Sequence, residues 1–294
     1  MIKLINIDID GTLVNSEGVV TDYTKEVLKK AKEKGVEIVL TSGRPIKSTQ
    51  SIAEELGIDN YIICGNGAIL YDVKKEEILF GGFLSREKVM EIANLCASNS
   101  IYYNVYTDQD ILTEELTYNV LFYHRENAFK MDDKKTNINI VENIPKYIEE
   151  NNIDHFLKIT VCDSSEMVFN NIMKRLREIE EIEVLDVGYM SRKVIKYGTD
   201  FVNIDYYYTE ISKSDINKWH AVEKLMEVMD IKTDEVMAIG DNVNDMEMIE
   251  HAGTGVAMDN SGDKIKEVAD YVTDDNDNDG VAKIIEKLVL NEGE

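Results

Sequence analysis

The chain is poor in cysteine, proline, histidine and positive charge. Its 294 residues include 3 cysteines, 2 prolines and 4 histidines. So few prolines argue against long stiff linkers. Cys64, Cys96 and Cys162 are odd in number, far apart and in apolar company. That pattern is neither a disulfide framework nor a thiolate metal site, so each reads as a buried free thiol. His124, His155, His220 and His251 do not pair with a Cys, a Ser or one another at metal or triad spacing, and read as structural or surface residues. No apolar run reaches the roughly 18 residues of a membrane-spanning helix. The first residues read as a strand, without a basic-then-apolar leader, so the expected compartment is a reducing cytoplasm. Lys and Arg number 32 against 57 Asp and Glu, a net charge of -25. Such a surface repels nucleic acid and anionic membranes. An anionic substrate would therefore need positive charge supplied locally.

With 44% hydrophobic and 30% charged residues, the chain can bury a core and is not a disordered tail. Its length suits one large domain or two ordinary ones. "IKLINIDI" is a short Ile-rich strand, followed by a helix with Thr21 as N-cap and a stop at Gly35. "VEIVLTSGR" is a second apolar strand, "KSTQSIAEELGI" a helix ending at Gly57, and "YIICGNGAIL" a third strand meeting a Gly-rich bend. This alternation predicts an α/β fold, a doubly wound, mostly parallel Rossmann-like core with helices on both faces. Ligands of such sheets sit beyond the carboxyl ends of the strands. "DIDGTL", "TSGR" and "CGNGA" should then share one rim.

The middle of the chain has another texture. "IYYNVYT", "HFLKITVCD", "EVLDVG" and "FVNIDYYY" alternate or are aromatic-rich, with helices such as "SEMVFNNIMKRLREIE" between them. This predicts an inserted α+β domain with an open, mostly antiparallel sheet over residues 83–208, leaving 1–82 and 209–294 as the core. Tyr102, Tyr103 and Tyr106 fit the core of a strand better than a sugar site, since aromatics favour strands in any case.

Asp8 and Asp10 leave the end of a buried strand, an expensive place for paired acids unless a cation or a reacting group uses them. "IGDNVNDM" brings Asp241, Asn244 and Asp245 to a second strand end. Two acidic strand ends on one sheet make an oxygen-rich pocket suited to Mg2+, and the lack of nearby His or Cys argues against zinc. Ser42, the Gly43 amide and Arg44 could donate to an anion, and a helical Lys218 could reach the same rim.

Taken in order, D-x-D-G-T-L, S-G-R, N-G-A, a helical Lys and G-D-N-x-N-D resemble the haloacid-dehalogenase-like superfamily. The branch it looks like is that of Cof-type sugar-phosphate phosphatases, with a large cap between the second and third motifs. The resemblance spans essentially the whole chain and is weakest through the cap. It implies a Mg2+-dependent phosphatase acting on a small phosphorylated metabolite through an aspartyl-phosphate. Asp8 would be the nucleophile and a metal ligand. Asp10 would be the general acid and base, with its backbone carbonyl on the metal. Asp241 would ligate the metal, and Asp245 would support the metal shell or Lys218. Ser42, Gly43, Lys218 and Asn244 would hold the phosphate, with Arg44, Asn66 and Gly67 towards the substrate and the cap setting specificity. Two positions depart from the family pattern. Trp219 replaces the usual Gly after the motif lysine, which makes Lys213 a second candidate; the indole could narrow the cleft or pack on the helix. Asp259 stands in "AMDN", where Gly is common.

Two other readings stay open: a phosphomutase using the same aspartyl-phosphate, and a non-catalytic receiver-like or metal-binding module. The oligomeric state is not legible. A second acidic stretch, "DDNDNDGVAKIIE", fits the calcium-loop spelling from Asp275 to Glu286. A calcium loop needs a helix on each side, and "ADYVT" upstream reads as a strand. The expectation there is a solvated acidic turn capping the last helix.

Overall fold

A computed structural model describes residues 1–129, 135–186, 188–197 and 200–291. The chain forms two compact units, one of residues 1–81 and 216–294, the other of 82–215.

The first unit begins with β1 (Leu4–Ile7), whose four residues are all buried. It continues through α1 (Asp22–Glu33), β2 (Glu37–Thr41), α2 (Ile46–Glu55) and β3 (Tyr61–Cys64). Thr21 caps α1 as expected, its hydroxyl accepting from the Thr24 amide. "YIICGNGAIL" is not one strand. It turns over residues Gly65–Gly67 and returns as β4 (Ile69–Asp72), antiparallel to β3, and β5 (Glu77–Gly81) follows antiparallel to β4.

The second unit contains α3 (Arg86–Ser98), β6 (Tyr102–Thr107), β7 (Ile111–Thr113), α4 (Tyr118–Glu126), β8 (Ile138–Ile140) and α5 (Ile144–Glu150). It closes with β9 (Phe156–Asp163), α6 (Glu166–Leu176), β10 (Ile182–Val184), β11 (Gly188–Tyr197) and β12 (Asp200–Lys213). The sheet order is β10-β12-β9-β6-β7-β8, with β11 also on β12. All pairings are antiparallel except β7 with β8. Val89 and Ile92 of α3, Ile144 of α5 and Phe169 of α6 form one core with Tyr103, Ile159 and Ile211 of the sheet. Strand period two then sends Tyr106 to the other face, so the aromatic run of β6 serves both sides. This unit extends to Asp215 rather than to 208, because β12 keeps pairing with β9 and β10 through its last five residues.

Back in the first unit, α7 (Lys218–Met229) leads to β13 (Val236–Gly240), α8 (Met246–His251) and β14 (Thr254–Ala257). Next come α9 (Asp263–Val268), β15 (Tyr271–Val272) and α10 (Gly280–Ile285). The sheet runs β15-β14-β13-β1-β2-β3-β4-β5, parallel from β15 to β3. Chain progression moves away in both directions from the β13–β1 pair, so a topological switch point lies there. Trp219 is buried with Val222 and Leu225 on one face of α7, against Leu4, Val39 and Ile63. The indole is therefore a core residue of the helix.

The acidic bend is not merely a solvated cap. Asp279 starts α10 in a left-handed conformation with φ 57° and makes no side-chain cap. Its carboxylate instead accepts from the hydroxyls of Thr21 (2.5 Å) and Thr24 (3.2 Å). Asp277 accepts from the Ser16 amide at 2.8 Å, and the Asn276 side chain donates to the Val14 carbonyl at 2.9 Å. The bend is laced to the loop that follows β1. Among the described residues, no helix is long and apolar enough to cross a membrane.

Candidate active site

Three parallel strand ends meet at the switch point. Asp8 follows β1, its amide donating to the Ile239 carbonyl of β13 at 3.0 Å. Ser42 follows β2, its amide donating to Ile63 of β3 at 2.9 Å. Asp241 follows β13. "DIDGTL", "TSGR" and "GDN" are thus adjacent because their strands are.

Lys218 is the first residue of α7 and is only 1% exposed. Its Nζ donates to Asp8 Oδ1 at 2.5 Å and to Asp245 Oδ1. Asp8 is 5% exposed and Asp245 fully buried. Lys213, by contrast, lies exposed at the end of β12 in the other unit. Asn217, which the sequence reading passed over, places the lysine: it is the N-cap of α7, its side chain accepting from the His220 amide at 2.7 Å. Gly67, at φ 96°, is where the β3–β4 turn meets this helix start, and a Cβ there would overlap the Asn217 carbonyl. Only glycine admits that close approach at a positive φ.

Asp245 uses its second oxygen on the amides of Asp241 (3.1 Å) and Asn242 (3.0 Å), so it fixes the turn after β13 as well as the lysine. Asp241 accepts from the Thr12 hydroxyl at 2.9 Å. Asn260 donates to the Gly11 carbonyl at 2.8 Å and reaches Asp241 Oδ2 at 3.5 Å. Thr12 and Asn260 are site residues that were not singled out, although both lie inside the quoted motifs "DIDGTL" and "AMDN". Gly11, at φ 85°, lets the chain turn where any side chain would overlap the Asp241 carboxylate.

Asp10 faces elsewhere. Arg44 clamps it with Nε to Oδ2 at 2.8 Å and Nη2 to Oδ1 at 2.5 Å, and its side chain is 59% exposed. Ser42 is buried, its hydroxyl accepting from the Arg44 amide at 3.2 Å. Asn66 accepts from Asn244 Nδ2 at 3.0 Å and crowds Gly43, where a Cβ would strike its side chain. Asp259 lies outside this network and pairs with Lys266 at 2.7 Å.

The electrostatics are unbalanced. Ligand oxygens of Asp8, Asp241 and Asp245 all lie within 4.8 Å of one another. Three carboxylates against one ammonium leave two negative charges in a largely buried place. Burial pushes the Asp8 carboxyl up, to about 8, with Lys218 opposing and Asp245 and Asp241 adding to the push. Burial likewise raises Asp241 to about 6, against the Thr12 hydrogen bond. Burial also works against the charge of Lys218, but Asp8 and Asp245 outweigh it and hold the ammonium above its usual range. The site therefore demands either protons or a cation. A divalent ion would balance the charge, and the all-oxygen donor set suits a hard one.

The chain matches the haloacid dehalogenase-like hydrolase family over residues 5–285, and it belongs to that family. It is 30% identical over 290 residues to the 5-amino-6-(5-phospho-D-ribitylamino)uracil phosphatase YcsE of Bacillus subtilis, covering 98% of this chain and 96% of that protein. The phosphatase YwpJ of the same organism is 28% identical, with 98% and 100% covered. A haloacid dehalogenase-like hydrolase from Bacteroides thetaiotaomicron superposes with a TM-score of 0.78 at 28% identity, over 98% of this chain and 100% of its own. The chain is an enzyme, a phosphoric monoester hydrolase.

Proposed function

We propose that the substrate, a small phosphorylated metabolite such as a sugar phosphate or related monoester, is hydrolysed through an aspartyl-phosphate on Asp8. The observation that carries this reading is the buried Asp8–Lys218–Asp245 network beside Asp241 at the switch point. It supplies a carboxylate nucleophile and a fixed positive charge in one place. A carboxylate nucleophile splits hydrolysis into two easier displacements. Enzymatic phosphoryl transfer then rests mainly on positioning and charge neutralisation.

Asp8 attacks phosphorus as the ester oxygen departs. Asp10, exposed and oriented by Arg44, gives that oxygen a proton and then takes one from the water that cleaves the aspartyl-phosphate. Lys218 neutralises charge on the nucleophile and the phosphoryl oxygens. Ser42, the Gly43 amide and Asn244 hold the phosphate, with Arg44, Asn66 and Gly67 on the substrate side. Mg2+ is the cofactor we assign, held by Asp8, Asp241, the Asp10 backbone carbonyl and the support of Asp245. When bound it would keep Asp8 ionised and spread the phosphoryl charge. The 82–215 unit is the specificity cap. YcsE is named for a phosphoribitylamino-uracil, and we carry that ester forward as one candidate substrate.

The deciding experiment is phosphate release over a panel of phosphometabolites, with Mg2+ and after chelation. Metal-dependent release that disappears in Asp8→Asn is the expected result. Release that survives Asp8→Asn would overturn the mechanism, and transfer of the phosphoryl group to a second sugar would mark a mutase.

A further inference from the structure

Three consecutive residues of the β3–β4 turn have positive φ: Gly65 at 60°, Asn66 at 57° and Gly67 at 96°. Glycine enters this region freely, whereas a Cβ makes it costly, for asparagine less than for most residues. A third glycine would hold the same backbone with less strain. What sets Asn66 apart is therefore its side chain, and that side chain joins two loops.

The first is the loop after β2. A Cβ on Gly43 would fall 2.7 Å from Asn66 Oδ1 and 3.2 Å from its Cγ, so the bare backbone of Gly43 forms the seat of the Asn66 carboxamide. The main chain ties the same turn to the same loop. The Asn66 N–H donates to the Ser42 carbonyl at 3.0 Å, and the Gly65 N–H to the Arg44 carbonyl at 3.0 Å. Asn66 is thus fixed through both its backbone and its side chain.

The second is the loop after β13, where Asn244 Nδ2 donates to Asn66 Oδ1 at 3.0 Å. In the sheet, β1 and β2 separate β13 from β3. At roughly 4.8 Å per strand, the bond closes a gap of about 14 Å. It does so across the rim where Asp8 and Ser42 leave their strands. Asn244 is exposed, and among the described residues its side chain makes this one hydrogen bond. Unheld, such a side chain samples several rotamers. An asparagine amide carries two N–H donors. Asn66 takes one and leaves the other in a fixed direction.

We propose that Asn66 is a positioning residue for phosphate binding: seated on Gly43, it holds the Asn244 amide so that the second N–H meets a phosphoryl oxygen. This rests on the phosphatase reading, and it adds the β3–β4 turn to the phosphate site. Asn66 acts through Asn244, because its own Oδ1 is an acceptor already in use and has nothing to offer an anion.

The test compares Asn66→Gly, Asn244→Ala and the double variant with the parent. Hydrolysis of p-nitrophenyl phosphate and competition by inorganic phosphate are measured at saturating Mg2+. Glycine suits φ 57°, so Asn66→Gly should keep the turn and a denaturation midpoint near the parent's. Its KM and its inhibition constant for phosphate should rise together, about threefold to tenfold, the value of one neutral hydrogen bond. Its kcat should stay within about twofold, as when the lost binding is common to ground and transition states. In the Asn244→Ala background, Asn66→Gly should add less than about 1.5-fold. Unchanged KM and inhibition constant in Asn66→Gly would overturn the proposal. So would equal increments in both backgrounds, which would put Asn66 on the ester itself. A fall in kcat that follows a fall in midpoint would also overturn it, leaving Asn66 to serve the fold alone. A parent that neither hydrolyses an ester nor binds inorganic phosphate would instead remove the phosphatase reading, and this proposal with it.

Discussion

Asp8-Ile9-Asp10-Gly11 and Asp277-Asn278-Asp279-Gly280 share the spelling D-x-D-G and lie in the same unit. In the first, Asp8 is 5% exposed and bonded to a lysine side chain that is itself 1% exposed. In the second, Asp277 is exposed and Asp279 half-buried, and their carboxylates accept from a backbone amide and two threonine hydroxyls. Charge in the first is concentrated and only partly neutralised; charge in the second is solvated and used as a hydrogen-bond acceptor. The difference lies in what the strand end buries, not in the residue types. The two stretches are also joined. Asn276 holds the Val14 carbonyl by its side chain and donates its amide to Asn260 Oδ1 at 3.3 Å, and Asn260 in turn holds the Gly11 carbonyl. The exposed bend thus braces the turn that carries the buried one.

If this contrast is right, the largest effects fall on the buried pair. Lys218→Met leaves Asp8 and Asp245 buried without their ammonium. Removing one partner of such a pair costs about 3–5 kcal/mol. We expect a clear fall in denaturation midpoint together with turnover at background, read by chemical unfolding and phosphate release. Near-parental stability would show that the carboxylates are not charged as a network. Asp10→Asn comes next. Its side chain is 59% exposed, so the fold should be unaffected, while loss of the proton donor should lower kcat about 10²–10⁴-fold. A kcat within threefold of the parent would remove Asp10 from the chemistry.

Asn260→Ala probes the join between the two stretches. Asn260 touches the Gly11 carbonyl and Asp241 but stays outside the proposed ligand set. Outer-shell partners of metal ligands typically change metal affinity about 10–100-fold. The expected signature is a raised Mg2+ requirement, with kcat largely restored at saturating metal. A fall in kcat that metal does not rescue would argue for a role other than placing Asp241.

The strand ends were legible because each is a short apolar run halted by Asp or Ser, and parallel packing forces such ends to one rim. Lys218 over Lys213 was not legible from spacing. It is decided by Asn217 capping α7 and by Gly67 admitting the helix start, both tertiary facts. Trp219 was ambiguous as a single letter, yet Trp219, Val222 and Leu225 recur every third residue on the buried face of α7. In the second unit, α4 and the short β7 and β8 went unread. The described part of α4 is mostly half-buried on all sides, and three-residue strands carry almost no period. The brace was invisible for a plainer reason: Ser16 and Asp277 are 261 residues apart, and no local pattern reports a contact over that span.

Asp277→Ala is the smallest expected effect and the one that separates the two stretches most sharply. Its carboxylate holds the Ser16 amide on an exposed surface. A net hydrogen bond is worth about 1 kcal/mol, or roughly 2–4 °C in Tm for a unit of this size. Turnover with saturating Mg2+ should stay within about twofold of the parent, since Asn276 still holds Val14 and Asn260 still holds Gly11. Combining Asp277→Ala with Asn260→Ala tests whether the brace transmits. If the bend steadies the Asp10–Gly11 turn only through Asn260, losing Asp277 should raise the Mg2+ requirement less in the Asn260→Ala background than in the parent. Equal increments in both backgrounds would mean that the bend acts on stability alone. A loss of turnover in Asp277→Ala that metal does not restore would place chemistry in the second stretch and undo the distinction between them.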